Sequence, residues 1–318
     1  MKPTSRLGAL WDTTRMRLLV EIDRQGSVSA AAAAIGIGQP SASQHLRLLE
    51  AAAGQRLVER DGRGSRLTGA GKVVASRAAQ ALANLDAAEE ELGALAGLQI
   101  GTIRIGASTA PGVYLLPDTL GCFRRDFPNV TVEVEIAASS EIVRRLAAGH
   151  VQLALVGDTE TDERIELTEF LEDEVVGIAA SGSVALDDGL LDPNALAGLV
   201  LLARERDSSS QQIVDRELRA IGVTPAGTWE LGSSEAIKRA VREGLGIAFL
   251  SRFAVAEEVE RGELVPFRLA GRPPLYRTIC IASHAGRPLS PAERGFVETM
   301  RSCCAKQPGF AESLVAER

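Results

Sequence analysis

The stretch Gly26–Glu50, GSVSAAAAAIGIGQPSASQHLRLLE, leaves the backbone few choices. Ser27 can accept from one of the N–H groups left unpaired where a helix starts. Behind it Ala30, Ala31 and Ala34 favour helix and are small enough for a second helix to pack closely. Gly36 supplies the permissive backbone of a sharp turn, and Ile37 is an apolar plug inside it. Gly38-Gln39-Pro40 then opens a second helix, with proline where its missing N–H costs nothing. At helical spacing Ala42, His45, Leu46, Leu49 and Ala53 share one face, while Pro40, Ser43, Gln44, Arg47 and Ala51 share the other. Two readings fit: a helical hairpin with a solvated outer face, and a helix–turn–helix whose second helix meets base edges.

The next residues favour the second reading. Residues 56–68, RLVERDGRGSRLT, hold two short β-prone pieces around Asp61-Gly62-Arg63-Gly64, a hairpin signal carrying Arg56, Arg60, Arg63 and Arg66. A two-stranded wing of arginines beside a recognition helix suits phosphate contact; the alternative is a charged surface hairpin. The formal net charge of −7 hides an asymmetry, because residues 1–72 carry eleven Lys/Arg against six Asp/Glu. A basic head on an acidic body fits a DNA reader with a separate second domain.

The whole stretch resembles the LysR-type family of bacterial transcription regulators. The resemblance rests on Gly26-Ser27, the alanine run, Gly36-Ile37, Gln39-Pro40, Ser43, Leu49-Glu50, Gly54, Arg56-Leu57, Glu59-Arg60 and Leu67-Thr68-x-x-Gly71. It implies promoter DNA as a partner, with Ser27, Gln39, Pro40, Ser41, Ser43, Gln44, Arg47, Arg63 and Arg66 as the contacting set. Two positions depart from the family: Gly38 replaces the usual capping serine, and Gln44 stands where arginine is common, so the base preference is this chain's own.

Ahead of the turn, residues 12–25 read as a supporting helix with Asp12 as cap and Met16, Leu18, Leu19 and Ile22 on one side. From Thr68 to Ala96 the chain is rich in Ala, Leu and Glu with no proline, which predicts one long helix ending near Gly97. Val74, Ala78, Ala81, Leu85, Ala88, Leu92 and Leu95 are spaced alternately by four and three, a heptad seam. The seam predicts a homodimer, matching the family's linker helix and its tetramers; packing on the second domain is the alternative.

Beyond Gly101 strands and helices alternate, the mark of an α/β domain. The order implies one α/β unit interrupted by another, hence two lobes, two crossings, a cleft and a hinge. The expected fold is therefore mixed: a winged helix–turn–helix head (1–67), a linker helix (68–99), and an effector domain similar to periplasmic binding proteins (100–305). Lobe I is expected at about 100–160 and 268–305, lobe II at about 161–267, with a loose tail at 306–318.

Three hydroxyl-rich segments stand where strands run into helices: Ser108-Thr109, Asp207 to Ser210, and Gly232-Ser233-Ser234. Each can be a plain cap; three together at strand ends suit a polar, anion-favouring ligand site. The run Glu230–Ser251 is similar to a LysR-type subgroup of sulfur-anion and carbon-fixation regulators, in which the segment equivalent to residues 204–211 usually reads Arg-Glu-Pro-Gly-Ser-Gly-Thr-Arg. This chain keeps Arg204, Ser208 and a hydroxyl at Ser210, but has Gln211 for the last arginine and adds Asp207. The resemblance implies a small-molecule effector held by Ser108, Thr109, Ser139, Arg204, Ser208, Ser210, Ser233 and Ser234.

Other chemistry finds little support. The chain shows no G-x-S-x-G elbow, HExxH or Walker loop, so no catalytic residues are assigned and an enzyme is not expected. Cys122, Cys280, Cys303 and Cys304 lack metal-ligand spacing, so they read as reduced and structural, with no metal and no cofactor. No charge-free run of about 18 apolar residues and no leader pattern appear, so a cytoplasmic protein is expected, with no membrane partner. The second reading of the chain is a solute-binding protein with a helical head and no role at DNA.

Overall fold

A computed structural model describes residues 11–62, 64–95, 100–157 and 163–306. Arg63, the helix stop expected at Gly97, the side chain of Leu95 and the tail from residue 307 lie outside the described residues.

The head holds α1 (Thr13–Gln25), α2 (Val28–Ala34) and α3 (Gln39–Ala53), followed by the hairpin β1 (Val58–Asp61) and β2 (Gly64–Leu67). Asp12 caps α1 by accepting from Arg15 N at 3.1 Å, and Ser27 caps α2 by accepting from Ala30 N at 3.4 Å. Gly36 turns the chain at φ 73°. Leu18, Leu19, Ile22, Ala31, Ala42, Leu49, Leu57 and Leu67 form one core, so the wing is part of the head rather than an appendage. Two polar devices fix it. The Glu50 carboxylate accepts from the backbone N–H of Leu57 and Val58, at 2.9 and 3.2 Å. Thr68 Oγ1 donates to the Arg56 carbonyl at 2.9 Å and accepts from Gly71 N at 3.0 Å. A Cβ at Gly71 would lie 2.0 Å from the Leu57 oxygen, which explains the glycine of the Leu67-Thr68-x-x-Gly71 pattern.

The linker helix α4 (Gly69–Leu95) divides the expected seam. Val74 packs into the head core, Ala78 is fully buried with Met16 of α1, and Ala81 packs beside them. Ala78 is therefore corrected from a dimer contact to intrachain packing, because α1 covers it, while Val74 and Ala81 are half-buried against the same neighbours. The second half stays open: Leu85 is 48% and Leu92 67% exposed, with Ala88 exposed between them.

The α/β domain runs β3 (Gly101–Ser108), α5 (Thr109–Tyr114), α6 (Leu116–Asp126), β4 (Val130–Ala137), α7 (Ser139–Ala148), β5 (Leu153–Gly157) and β6 (Ile165–Ala180). It continues with β7 (Leu190–Leu191), a 3-10 turn (Pro193–Gly198), β8 (Val200–Ala203), α8 (Ser209–Ile221), β9 (Gly227–Glu230), α9 (Ser234–Arg242) and β10 (Ala248–Ser251). Then follow α10 (Arg252–Glu260), β11 (Leu264–Leu269), β12 (Leu275–His284) and α11 (Pro291–Lys306). One sheet, ordered β4-β3-β5-β12-β6-β11-β7 with β10 also on β6, passes through both lobes. Parallel β8 and β9 form a second small sheet.

The cores locate the crossings. Phe170 and Leu171 of β6, with Ile279 and Ile281 of β12, belong to the core of lobe I. Val175 and Phe267 belong to that of lobe II, with Leu275 packed against it. The lobes thus exchange inside β6 and β12, later than residues 161 and 268, because each strand is long enough to serve both cores. Residues 165–180 form one long strand; the register slips at Ile279/Cys280, opposite Phe170, a β-bulge that bends the strand between the lobes.

Head and linker both dock on lobe I. Gly149, which ends α7 at φ 79°, would place a Cβ 2.4 Å from the Ala79 Cβ of α4, and Ser76 Oγ donates to the Ala147 carbonyl at 3.1 Å. Asp23 Oδ2 lies 3.0 Å from His150 Nε2, and Arg24 Nη2 donates to Glu133 Oε2 at 3.1 Å. Glu133 also accepts from Arg104 Nε at 3.0 Å; burial pushes its carboxyl up, but Arg104 and Arg24 outweigh burial and hold it below its ordinary value. Among the described residues no helix is long and apolar enough to cross a membrane.

Candidate functional site

On α3 the two faces separate as the helical spacing requires. Ala42 and Leu49 are buried, and His45, Leu46 and Ala53 are partly so. Gln39, Pro40, Gln44 and Arg47 are exposed, with Ser41 and Ser43 half-buried between the faces. Gly38 stands at the N-cap with no side-chain bond, leaving the first N–H groups of α3 open. Arg47 Nε folds back onto the Ser43 carbonyl at 3.3 Å. Ser27 is already engaged as the α2 cap, so its hydroxyl proton is what it can offer elsewhere. On the wing, Arg66 pairs with Glu59 at 2.8 Å across the strands, an exposed pair that phosphate can replace at small cost.

The second candidate set brackets the lobe boundary, where Tyr114 of α5 bonds Glu235 of α9. Ser108 ends β3 and leads α5; Ala137, its register partner, ends β4 just before Ser139 at the start of α7. Across the cleft, Ser208 to Ser210 lead α8, and Ser233-Ser234 lead α9. Ser108, Ser208 and Ser233 stand at N-caps, yet none closes a side-chain bond onto its own helix. Ser208 and Ser210 instead bond each other at 3.0 Å. The Ser108 Oγ is buried with no hydrogen-bond partner among the described residues, an arrangement that costs about 1–3 kcal/mol unless something supplies one. The plain-cap reading therefore fails for these three serines. Thr109 is half-buried beside Ser108, and Ser139 is buried at its helix start.

Three buried cations, Arg204, Lys238 and Arg277, each have a carboxylate. Buried Arg204 donates through Nη1 to Ser234 Oγ at 2.7 Å and through Nε to Glu205 at 2.8 Å. Burial raises the Glu205 carboxyl, but the Arg204 hydrogen bond, a backbone hydrogen bond and the Arg204 charge together outweigh it and hold it below its ordinary value. Lys238 Nζ lies 2.7 Å from both Glu235 and Glu258 and 5.3 Å from the Tyr114 ring centroid. Tyr114 OH donates to Glu235 Oε1 at 2.8 Å, a bond from lobe I to lobe II. At the hinge Arg277 Nε donates to Asp173 Oδ2 at 2.7 Å and Nη1 to Ser209 Oγ at 2.8 Å, while Ser251 Oγ donates to Asp173 Oδ1 at 2.8 Å. Gly157 at the end of β5 admits this cluster, since a Cβ there would meet Ser209 Oγ at 2.4 Å.

Sequence reasoning placed Arg204, Ser208, Ser210 and Ser234 in this lobe and missed Tyr114, Ser209, Lys238 and Arg277. Ser209 stood within the serine run; Arg277 gave no signal, since its partner Asp173 is 104 residues away. Gln211 is not turned outward for a ligand: its Oε1 accepts from Arg204 N at 3.0 Å and its Nε2 donates to Asp215 at 2.8 Å. Among the described residues no cluster of His, Cys, Asp and Glu could hold a metal ion.

Comparison with known proteins agrees with this geometry. Residues 13–72 match the bacterial regulatory helix-turn-helix protein model of the lysR family, and residues 96–305 match the LysR substrate binding domain. A probable RuBisCO transcriptional regulator from Porphyra purpurea is 33% identical over 254 residues, covering 78% of this chain and 80% of the relative. Full-length OxyR from Pseudomonas aeruginosa superposes with a TM-score of 0.77 at 21% identity, over 96% of this chain and 98% of that one. The CcmR regulatory domain of Synechocystis PCC6803, in complex with 2-PG, gives a TM-score of 0.58 at 25% identity, over 63% of this chain and 96% of that one. The chain belongs to the LysR family, beside its carbon-fixation subgroup: it is a DNA-binding regulator of transcription with an effector domain, and not an enzyme.

Proposed function

We infer that this regulator acts in the cytoplasm as a linker-helix homodimer, assembling further to a tetramer, and senses a small anion in the inter-lobe cleft. The buried Ser108 hydroxyl, unpartnered among the described residues, carries the ligand reading, because it stands at the start of α5, the helix whose Tyr114 reaches Glu235 of lobe II. The ligand bound by the CcmR domain, 2-PG, supports an anionic class. Asp207 is exposed and Glu205 is bound to Arg204, so their charge does not stand unanswered in the cleft. Glu205 on Arg204 and Glu235 on Lys238 and Tyr114 occupy the places that a ligand's anionic group would take. Ligand entry exchanges these carboxylates, and a ligand touching both lobes favours the closed arrangement. Since lobe I carries both the linker and the head contacts, the lobe angle reaches the recognition helices through it. Gln39, Pro40, Ser41, Ser43, Gln44 and Arg47 read bases, while Ser27, Arg63 and Arg66 hold phosphates.

The test is a thermal-shift screen of the full chain with 2-PG, inorganic phosphate and small carboxylates, followed by mobility shifts on promoter DNA. A cleft ligand should bind Thr109→Val and Ser108→Ala up to roughly tenfold more weakly, one hydrogen bond each. Equal stabilisation of parent and variants would place the site elsewhere. A ligand that left DNA affinity and footprint unchanged would remove the sensing role.

A further inference from the structure

Helices α6 and α11 lie side by side on lobe I, their Phe123 and Phe296 rings in edge contact with centroids 5.4 Å apart. Next to those rings the sulfurs of Cys122 and Cys303 approach to 3.3 Å. Arg125 Nη2 donates to the Cys122 sulfur at 3.2 Å. Both of these thiols are half-buried, whereas Cys280 and Cys304 are buried. Burial also pushes the Cys304 thiol up to about 12, so it stays protonated beside the pair. A disulfide needs sulfurs at about 2.05 Å, so closure asks for little more than about 1 Å, shared between two side chains.

We propose that Cys122 and Cys303 form a dithiol couple that a peroxide oxidises to an intramolecular disulfide, a modification site of lobe I distinct from the effector cleft. The Cys122 thiolate attacks one peroxide oxygen: an S–O bond forms, the O–O bond breaks, and the departing hydroxide takes a proton and leaves as water. The Cys303 thiolate then attacks the sulfenic sulfur: S–S forms, S–O breaks, and the second oxygen leaves as water. The peroxide gains two electrons and the two sulfurs lose them, and a dithiol reductant reverses the change. Arg125 faces the sulfur on which negative charge gathers before attack, which selects Cys122 as the nucleophile. In a reducing compartment such a pair is transient and signalling rather than structural. The bond would tie α6 to α11, the helix that packs against linker helix α4.

The experiment uses the reduced full-length chain, one equivalent of hydrogen peroxide, alkylation of remaining thiols and peptide mass spectrometry. Alkylatable thiols should fall from four to about two per chain, with a Cys122–Cys303 cross-linked peptide that a dithiol removes. Cys303 and Cys304 share one tryptic peptide, so the bond is assigned on Cys304→Ser, which should oxidise like the parent. Cys122→Ser and Cys303→Ser should each abolish the cross-link, and Arg125→Leu should slow it severalfold. Retention of all four thiols would overturn the proposal, as would a Cys303–Cys304 bond, a cross-link only between chains, or oxidation of Cys122 without cross-linking.

Discussion

Replacing Gly149 with alanine tests the contact through which the linker helix sits on lobe I. The glycine holds φ 79° at the end of α7, and its added Cβ would lie 2.4 Å from the Ala79 Cβ. Two costs follow. A left-handed conformation costs an L-residue about 1–2 kcal/mol. Two carbons settle at about 3.5–4.0 Å, so α4 must retreat by more than about 1 Å or accept the strain. Overpacking of this kind costs about 1–3 kcal/mol, giving a total of about 2–5 kcal/mol for Gly149→Ala. Ala79→Gly removes the overlapping methyl at about 1 kcal/mol of helix propensity and leaves the φ cost untouched. The two changes together should therefore be less damaging than their sum by about 1–3 kcal/mol, the steric part alone. Urea unfolding of the parent, both single variants and the double variant measures this coupling. Effects that add within about 0.5 kcal/mol would refute the docking of α4 on α7. Promoter mobility shifts on the same four proteins carry the argument to function: Gly149→Ala should change DNA affinity, and Ala79→Gly should restore it in part.

Charge placed in the open half of the seam, Leu85→Asp with Leu92→Asp, should convert the dimer to monomer in sedimentation while the head stays folded; an unchanged oligomer would move the interface off α4. Replacing Gln44 and Arg47 with alanine should cost about 1–3 kcal/mol at specific DNA for each base-reading side chain removed and relax the preference, whereas Arg66→Ala should weaken all sequences alike and flatten the salt slope by about one. The Glu133 carboxyl is held below its ordinary value, so its stabilisation is present above the ordinary carboxylate range and is lost as pH falls through the lowered value. The melting-temperature gap between parent and Glu133→Gln should accordingly be open at neutral pH and close below about pH 4. A gap independent of pH would show that the Arg24–Glu133–Arg104 link does not act as a charge.

What the sequence disclosed and what it hid divide along sequence separation. The head was legible because its rules are local: Ser27, Gly36, Gly38 and the two faces of α3 act within a few residues, and Gly71 meets the Leu57 carbonyl only 14 positions back. The seam misled for the opposite reason. A heptad count sees one helix, so it could not know that α1, more than fifty residues upstream, would cover Ala78 and leave Leu85 and Leu92. Helix α10 shows no amphipathic signal, because its apolar residues Phe253 to Ala256 form one unbroken block and Val259 stands among glutamates, so no apolar stripe runs along it. In the cleft the hydroxyls announced themselves at strand ends, but their partners come from distant strands. Arg277 reaches Ser209 and Asp173, and Tyr114 reaches Glu235, only after β6 and β12 have folded through both lobes. The unforeseen half of the site is thus the half made by long-range contacts: Tyr114–Glu235 joins lobe I to lobe II, and Arg277 ties Asp173 to Ser209 at the hinge.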